Sequence, residues 1–152
     1  DRLKSFIFHE APKPLENFEF QDQLGNTKSL SDWKGKLVLL NLWATWCGPC
    51  REEMPSLDNL KKFYAKEPFD VVAISMDRSG LSKPRKFYDE ERLKHLDLYI
   101  DQTTKLMFKL KAVGLPATIL IDKEGREIGR LAGPAQWDSD LAIDMIKKEL
   151  KK

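Results

Sequence analysis

The sequence predicts a mixed α/β domain with helices covering both faces of one central sheet. Three observations carry that reading. KLVLLNLW (36–43) and FDVVAISMD (69–77) are near-continuous apolar runs, helical apolar spacing lies between and after them, and an antiparallel hairpin, ATILIDKEGREIGRLAG, occupies 117–133. Runs apolar on both faces suit strands with cover on each side. Alternation of such strands with helices gives parallel neighbours, and the closing hairpin adds antiparallel ones.

Each element follows in order. Residues 1–16 are polar with Pro12 and Pro14 and read as an arm or linker, leaving 17–152 as the domain. In NFEFQD, Phe18 and Phe20 alternate with polar residues, as in a half-buried strand, and the Gly25-Asn26 turn signal makes a hairpin of it. LSDWKGK is a short turn into the first buried strand. Beyond Cys50, Met54, Leu57, Leu60, Phe63 and Tyr64 recur mostly at helical spacing. Residues 81–93 form a charged amphipathic helix with Pro84 near its start, where proline is tolerated. DLYID is a short strand, TTKLMFKLK a short helix, and SDLAIDMIKKELKK a closing helix capped by Ser139 or Asp140.

The 152 residues carry 26 basic and 24 acidic side chains, a net charge of +2. So balanced a surface provides no field to recruit nucleic acid, and the KKELKK end reads as a solvated helix face. No run approaches the roughly 20 apolar residues that span a bilayer.

The whole thiol supply, Cys47 and Cys50, sits in NLWATWCGPCREEMP. A structural clip is a poor account of it, because closing a four-residue ring stabilises by only about 2 kcal/mol. A zinc site needs about four ligands, and His9 and His95, the only histidines, are not in ligand spacing with the pair. No metal is expected. Redox chemistry suits the placement. The apolar strand ends at Trp43 and helical spacing begins near Cys50, which sets Cys47 at a helix start. Unpaired backbone N–H groups and the helix dipole stabilise a thiolate there. Cys50 lies one turn inward, ready to resolve a mixed disulfide. An exposed attacker and a shielded resolver are expected.

WCGPC resembles the active site of the thioredoxin superfamily, and LSDWKGKLVLLNLWATWCGPCREEMPSL resembles its TlpA/ResA/DsbE branch. VGLPATILIDKEG and LAGPAQW extend the likeness, the latter towards TlpA, so that it covers Phe18 to the C-terminus. The resemblance implies a thioredoxin-like fold with an N-terminal β-hairpin and a central insertion at 81–93. It implies that Pro116 is a cis-proline, that Leu115 offers its backbone to substrate, and that Trp46, Gly48, Pro49 and Gly133 complete an apolar collar. Pro55 would shape the active-site helix, and Trp43 would pack in the core. Thioredoxin's buried aspartate is Asn41 here and the lysine partner is Ala73, so a proton-handling carboxylate must come from elsewhere. Glu53 matches an active-site glutamate of ResA-like proteins and is the candidate. Glu52, Arg51 and the two histidines are expected to be solvated or packing residues.

The same resemblance implies a protein thiol-disulfide oxidoreductase without cofactor, monomeric, in a bacterial periplasm and tethered by an N-terminal anchor. It would be fed by an upstream membrane electron donor. Its expected partners are protein disulfides, on apocytochrome c or on copper-delivery proteins of oxidase assembly. The Gly-Pro dipeptide argues for a reductant. A broader isomerase or oxidase, a thiol peroxidase and a redox-gated binding module are the alternatives.

Overall fold

The computed structural model describes residues 2–152. Its strands are β1 (Ile7–Pro14), β2 (Glu19–Asp22), β3 (Thr27–Ser29), β4 (Leu37–Trp43), β5 (Phe69–Ser75), β6 (Tyr99–Ile100), β7 (Ala117–Ile121) and β8 (Arg126–Ala132). The helices are α1 (Gly48–Phe63), α2 (Ser82–Glu91), α3 (Lys105–Lys109) and α4 (Asp140–Leu150). The strands form one mixed sheet in the order β1-β8-β7-β4-β5-β6-β2-β3.

The sheet is built outward from β4. All seven of its residues are buried, and it pairs in parallel with β5 and antiparallel with β7. The run of leucines, with Val38 among them, fits a strand packed on both faces. Trp43 closes β4 in the core, with its ring 5.4 Å from Phe87 and 5.9 Å from Tyr88, both on α2. The expected insertion therefore packs its apolar face under the end of the central strand. Among the described residues no helix is long and apolar enough to cross a membrane.

The expected hairpin forms as β2 and β3, with Gly25 at φ +84° in its turn. It joins the sheet through β6, where the Phe20 ring meets Trp33 and Tyr99 at 5.7 and 5.3 Å.

The arm expected over residues 1–16 is corrected in part. Residues 7–14 are a strand of the sheet, paired antiparallel with β8 and interrupted by a register shift between Phe8 and Lys13. All but one of its positions are exposed, so backbone hydrogen bonds hold it rather than an apolar face. Phe6, just before it, is buried against Gly129, where a Cβ would strike the Phe6 ring and lie 2.7 Å from the Ile7 carbonyl. His9 Nε2 meets Glu127 Oε2 at 2.7 Å, and Arg130 reaches the same carboxylate at 2.7 and 2.8 Å. His9 is thus a packing residue, as expected.

Candidate active site

A strand ending and a helix beginning within a few residues create this site. Cys47 is the N-cap of α1, in extended conformation at φ −101° and ψ 108°, and its Sγ accepts from the Cys50 N–H at 3.3 Å. Pro49 sits in the first turn, where its missing N–H is no loss. Of the first-turn amides that have no partner inside a helix, that of Cys50 is directed at the Cys47 sulfur. Pro55 lies inside α1, as expected. Cys47 and Cys50 are joined as a disulfide with a Cα–Cα distance of 5.3 Å.

The two sulfurs are unequal. Cys47 is 7% exposed and Cys50 0%. The anticipated order of accessibility holds, but the attacker is a narrow opening rather than an exposed thiol, because the apolar core continues up to it.

The loop into the motif is fixed from β5. Asp77, itself buried, accepts from the Thr45 N–H at 3.1 Å, the Thr45 hydroxyl at 2.5 Å and the Ser75 hydroxyl at 2.6 Å. Nothing in the sequence singled out Asp77, although it ends the VVAISMD run.

Glu53 is 3% exposed. Its carboxylate accepts from Asn41 Nδ2 at 2.8 Å, the Ala135 N–H at 3.0 Å and the Trp137 indole at 3.0 Å. Ser56 completes the clamp, accepting from the Trp137 N–H at 3.0 Å while its hydroxyl donates to the Glu53 carbonyl. Burial pushes the Glu53 carboxyl up to about 7, although the three donors pull it down. No cation stands among its partners. Asn41, the replacement for thioredoxin's aspartate, donates to Glu53 and to Thr118 Oγ1 while its own Oδ1 has no partner. Local sequence could not reveal the Ala135 and Trp137 contacts, which lie 82 and 84 residues from Glu53.

The expected collar is divided. Leu115, Pro116 and Gly133 line one groove, with the Gly133 N–H donating to the Pro116 carbonyl at 2.9 Å. Gly133 holds φ +103°, a conformation that side-chain-bearing residues rarely adopt. The Leu115–Pro116 bond is cis. Trp46, 72% exposed, lines a second groove with Arg51 and α2. Gly48 and Pro49 are exposed at the helix start, Glu52 is on the surface, and Arg51 lies 5.3 Å from the Phe87 ring centroid. Among the described residues, no cluster of histidine, cysteine and acid side chains could hold a metal ion.

Comparison with known proteins agrees with this geometry. The Redoxin family model matches residues 10–143. The thiol-disulfide oxidoreductase ResA of Bacillus cereus is 35% identical over 133 residues, 88% of this chain and 73% of that protein. A crystal structure from Chlorobium tepidum, assigned as a thiol:disulfide interchange protein DsbE, superposes with a TM-score of 0.82. It is 26% identical and covers 93% of this chain and 98% of that one. The pneumococcal exposed lipoprotein thioredoxin Etrx1 of Streptococcus pneumoniae superposes with a TM-score of 0.72 at 28% identity, covering 90% and 98%.

Proposed function

This chain belongs to the Redoxin family and is a ResA-like thiol-disulfide oxidoreductase of thioredoxin-like fold, and on that premise we propose that it is a reductant of specific protein disulfides in the bacterial cell envelope. The observation that carries the reading is the unequal pair: a sulfur capping α1 at a narrow opening, and a fully buried second sulfur one turn inward.

In the reaction, the Cys47 thiolate attacks one sulfur of a substrate disulfide, forming a mixed disulfide and expelling the other as a thiolate. Glu53, ionised, takes the proton from the Cys50 thiol. The Cys50 thiolate then attacks the Cys47 sulfur, breaking the mixed bond and releasing the reduced partner. Two electrons leave the dithiol, Cys47–Cys50 becomes a disulfide, and an upstream membrane donor restores it. A base is most useful when its pKa lies near the working pH, and the Glu53 value of about 7 meets that condition. The unpaired Oδ1 of Asn41 gives Glu53 a second option. Turned over, that amide accepts from the protonated carboxyl, so the pocket serves both proton states. Leu115, Pro116 and Gly133 line the groove that receives the substrate backbone, with Trp46, Gly48 and Pro49 on the other side.

The Gly48-Pro49 dipeptide supports a reductant. Thioredoxin stands near ~−270 mV, against ~−120 mV for strong oxidants. The exposed lipoprotein relative supports an envelope location and an anchored enzyme. The proposed substrates are disulfides of apocytochrome c or of copper-delivery proteins in oxidase assembly. Equilibration with glutathione tests the direction: a potential near the thioredoxin value is expected, and one near −120 mV makes the protein an oxidase. A Cys50→Ser variant should trap substrates as mixed disulfides in an envelope fraction; if it traps none, the pair is a redox-gated switch.

A further inference from the structure

The groove that starts at Trp46 has a character the exchange chemistry does not require. It begins beside the reacting sulfur, since Trp46 precedes Cys47 in the chain and the Arg51 N–H donates to the Cys47 carbonyl at 3.1 Å. Its floor is the buried Phe87, seated against Trp43 and topped by the Arg51 guanidinium. Its walls carry Lys83 and Lys86 from α2, one turn apart and exposed. Glu90 is the one acid among the lining residues.

Three cations against one acid leave the groove positive in a protein of almost balanced charge. Nor are these cations matched by acids elsewhere among the described residues. None of Arg51, Lys83 and Lys86 makes an ion pair among the described residues, whereas Arg126 and Arg130 do. The neighbouring Arg85 turns away to the Gln23 carbonyl at 2.7 Å. A large aromatic ring left in water beside unpaired cations is the composition of a binding rim, where aromatic area gives affinity and charge gives selection.

We infer that this groove docks an acidic, extended stretch of the protein substrate, lying directly beside the cysteine under attack. Trp46 packs on that stretch, and Arg51, Lys83 and Lys86 meet its carboxylates. The groove lined by Leu115, Pro116 and Gly133 has Lys111 and Arg130 in its lining and the Arg2 guanidinium near Gly133, but Arg130 is bound to Glu127 and no exposed indole accompanies them. This docking role rests on the reductant reading above.

Three peptide disulfides, identical except for acidic, neutral or basic residues flanking the cysteine, test it with the reduced full chain. Rates at low ionic strength should give the acidic peptide a kcat/KM about tenfold above the neutral one. The basic peptide should fall below the neutral one. The preference should fade as salt approaches about 0.5 M. In Lys83→Gln/Lys86→Gln the acidic-to-neutral ratio should drop towards one, and in Lys83→Glu/Lys86→Glu it should invert. Equal wild-type rates on acidic and neutral peptides overturn the groove and leave the reductant standing; no reduction of any of the three peptides overturns both. A preference that survives in both lysine variants also overturns the groove. So does lysine-dependent binding to phosphatidylglycerol vesicles without any peptide preference, which would make the rim a lipid contact.

Discussion

Two glutamates, Glu53 and Glu127, are buried almost equally, at 3% and 4% exposure, and yet their carboxyls move in opposite directions. Burial pushes both up. At Glu127 the hydrogen bonds and charge of Arg130, with His9 behind, outweigh it, and the carboxyl lies below its ordinary value. At Glu53 only neutral donors answer, and they do not offset the loss of water. Hydrogen-bond number does not separate the two sites; the full positive charge at Glu127 and the deeper seat of Glu53 do. One carboxylate is therefore fixed as an anion that ties a strand into the sheet. The other stands at the threshold of ionisation, three residues beyond Cys50 on α1.

The comparison can be broken most sharply at Glu53. Glu53→Gln should slow thiol exchange about a hundredfold at and above neutral pH. The wild-type inflection near pH 7, where activity rises as the carboxyl ionises, should vanish from its rate profile. An inflection that persists would assign it to another group.

Stability should then separate the pair by sign. A raised carboxyl stabilises fully below its unfolded value of 4.5 and loses that contribution as pH rises through about 7. Relative to Glu53→Gln, the oxidised wild type should lose about 2 kcal/mol between about pH 5 and about pH 8. Glu127 has the opposite window: its contribution is present above 4.5 and disappears as pH falls through the lowered value. Glu127→Gln should cost about 2 kcal/mol at neutral pH, with the gap closing in acid. Urea unfolding across pH measures both, and parallel trends would refute the distinction. Trp137→Phe removes one of the donors and should raise the kinetic inflection by about half a unit. The smallest effect belongs to His9→Ala, about 0.5–1 kcal/mol, because Arg130 still compensates Glu127.

What sequence could reveal tracks how local each feature is. Cys47, Cys50 and Glu53 share one helix start, and the apolar runs identified β4 and β5 without further help. The ligation of Glu53 by Ala135 and Trp137 joins chain segments more than eighty residues apart and left no periodic trace. Asn41 was recognised only as a missing carboxylate; its role as a donor to Glu53 needed the sheet. Residues 7–14 escaped because an edge strand exposed on both faces has no alternation to read. The collar was expected from the family resemblance, and its division between the turn before β7 and the margin of α2 is a tertiary fact.

The strand at 7–14 also governs how the molecule meets its own kind. It covers β8 and becomes one free border of the sheet, where Pro12 and Pro14 present no N–H and the ladder is already broken between Phe8 and Lys13. The opposite border is β3, only three residues long. Neither border can template a further strand well. Growth by sheet extension, the common route from folded chains to fibrils, is discouraged at both ends.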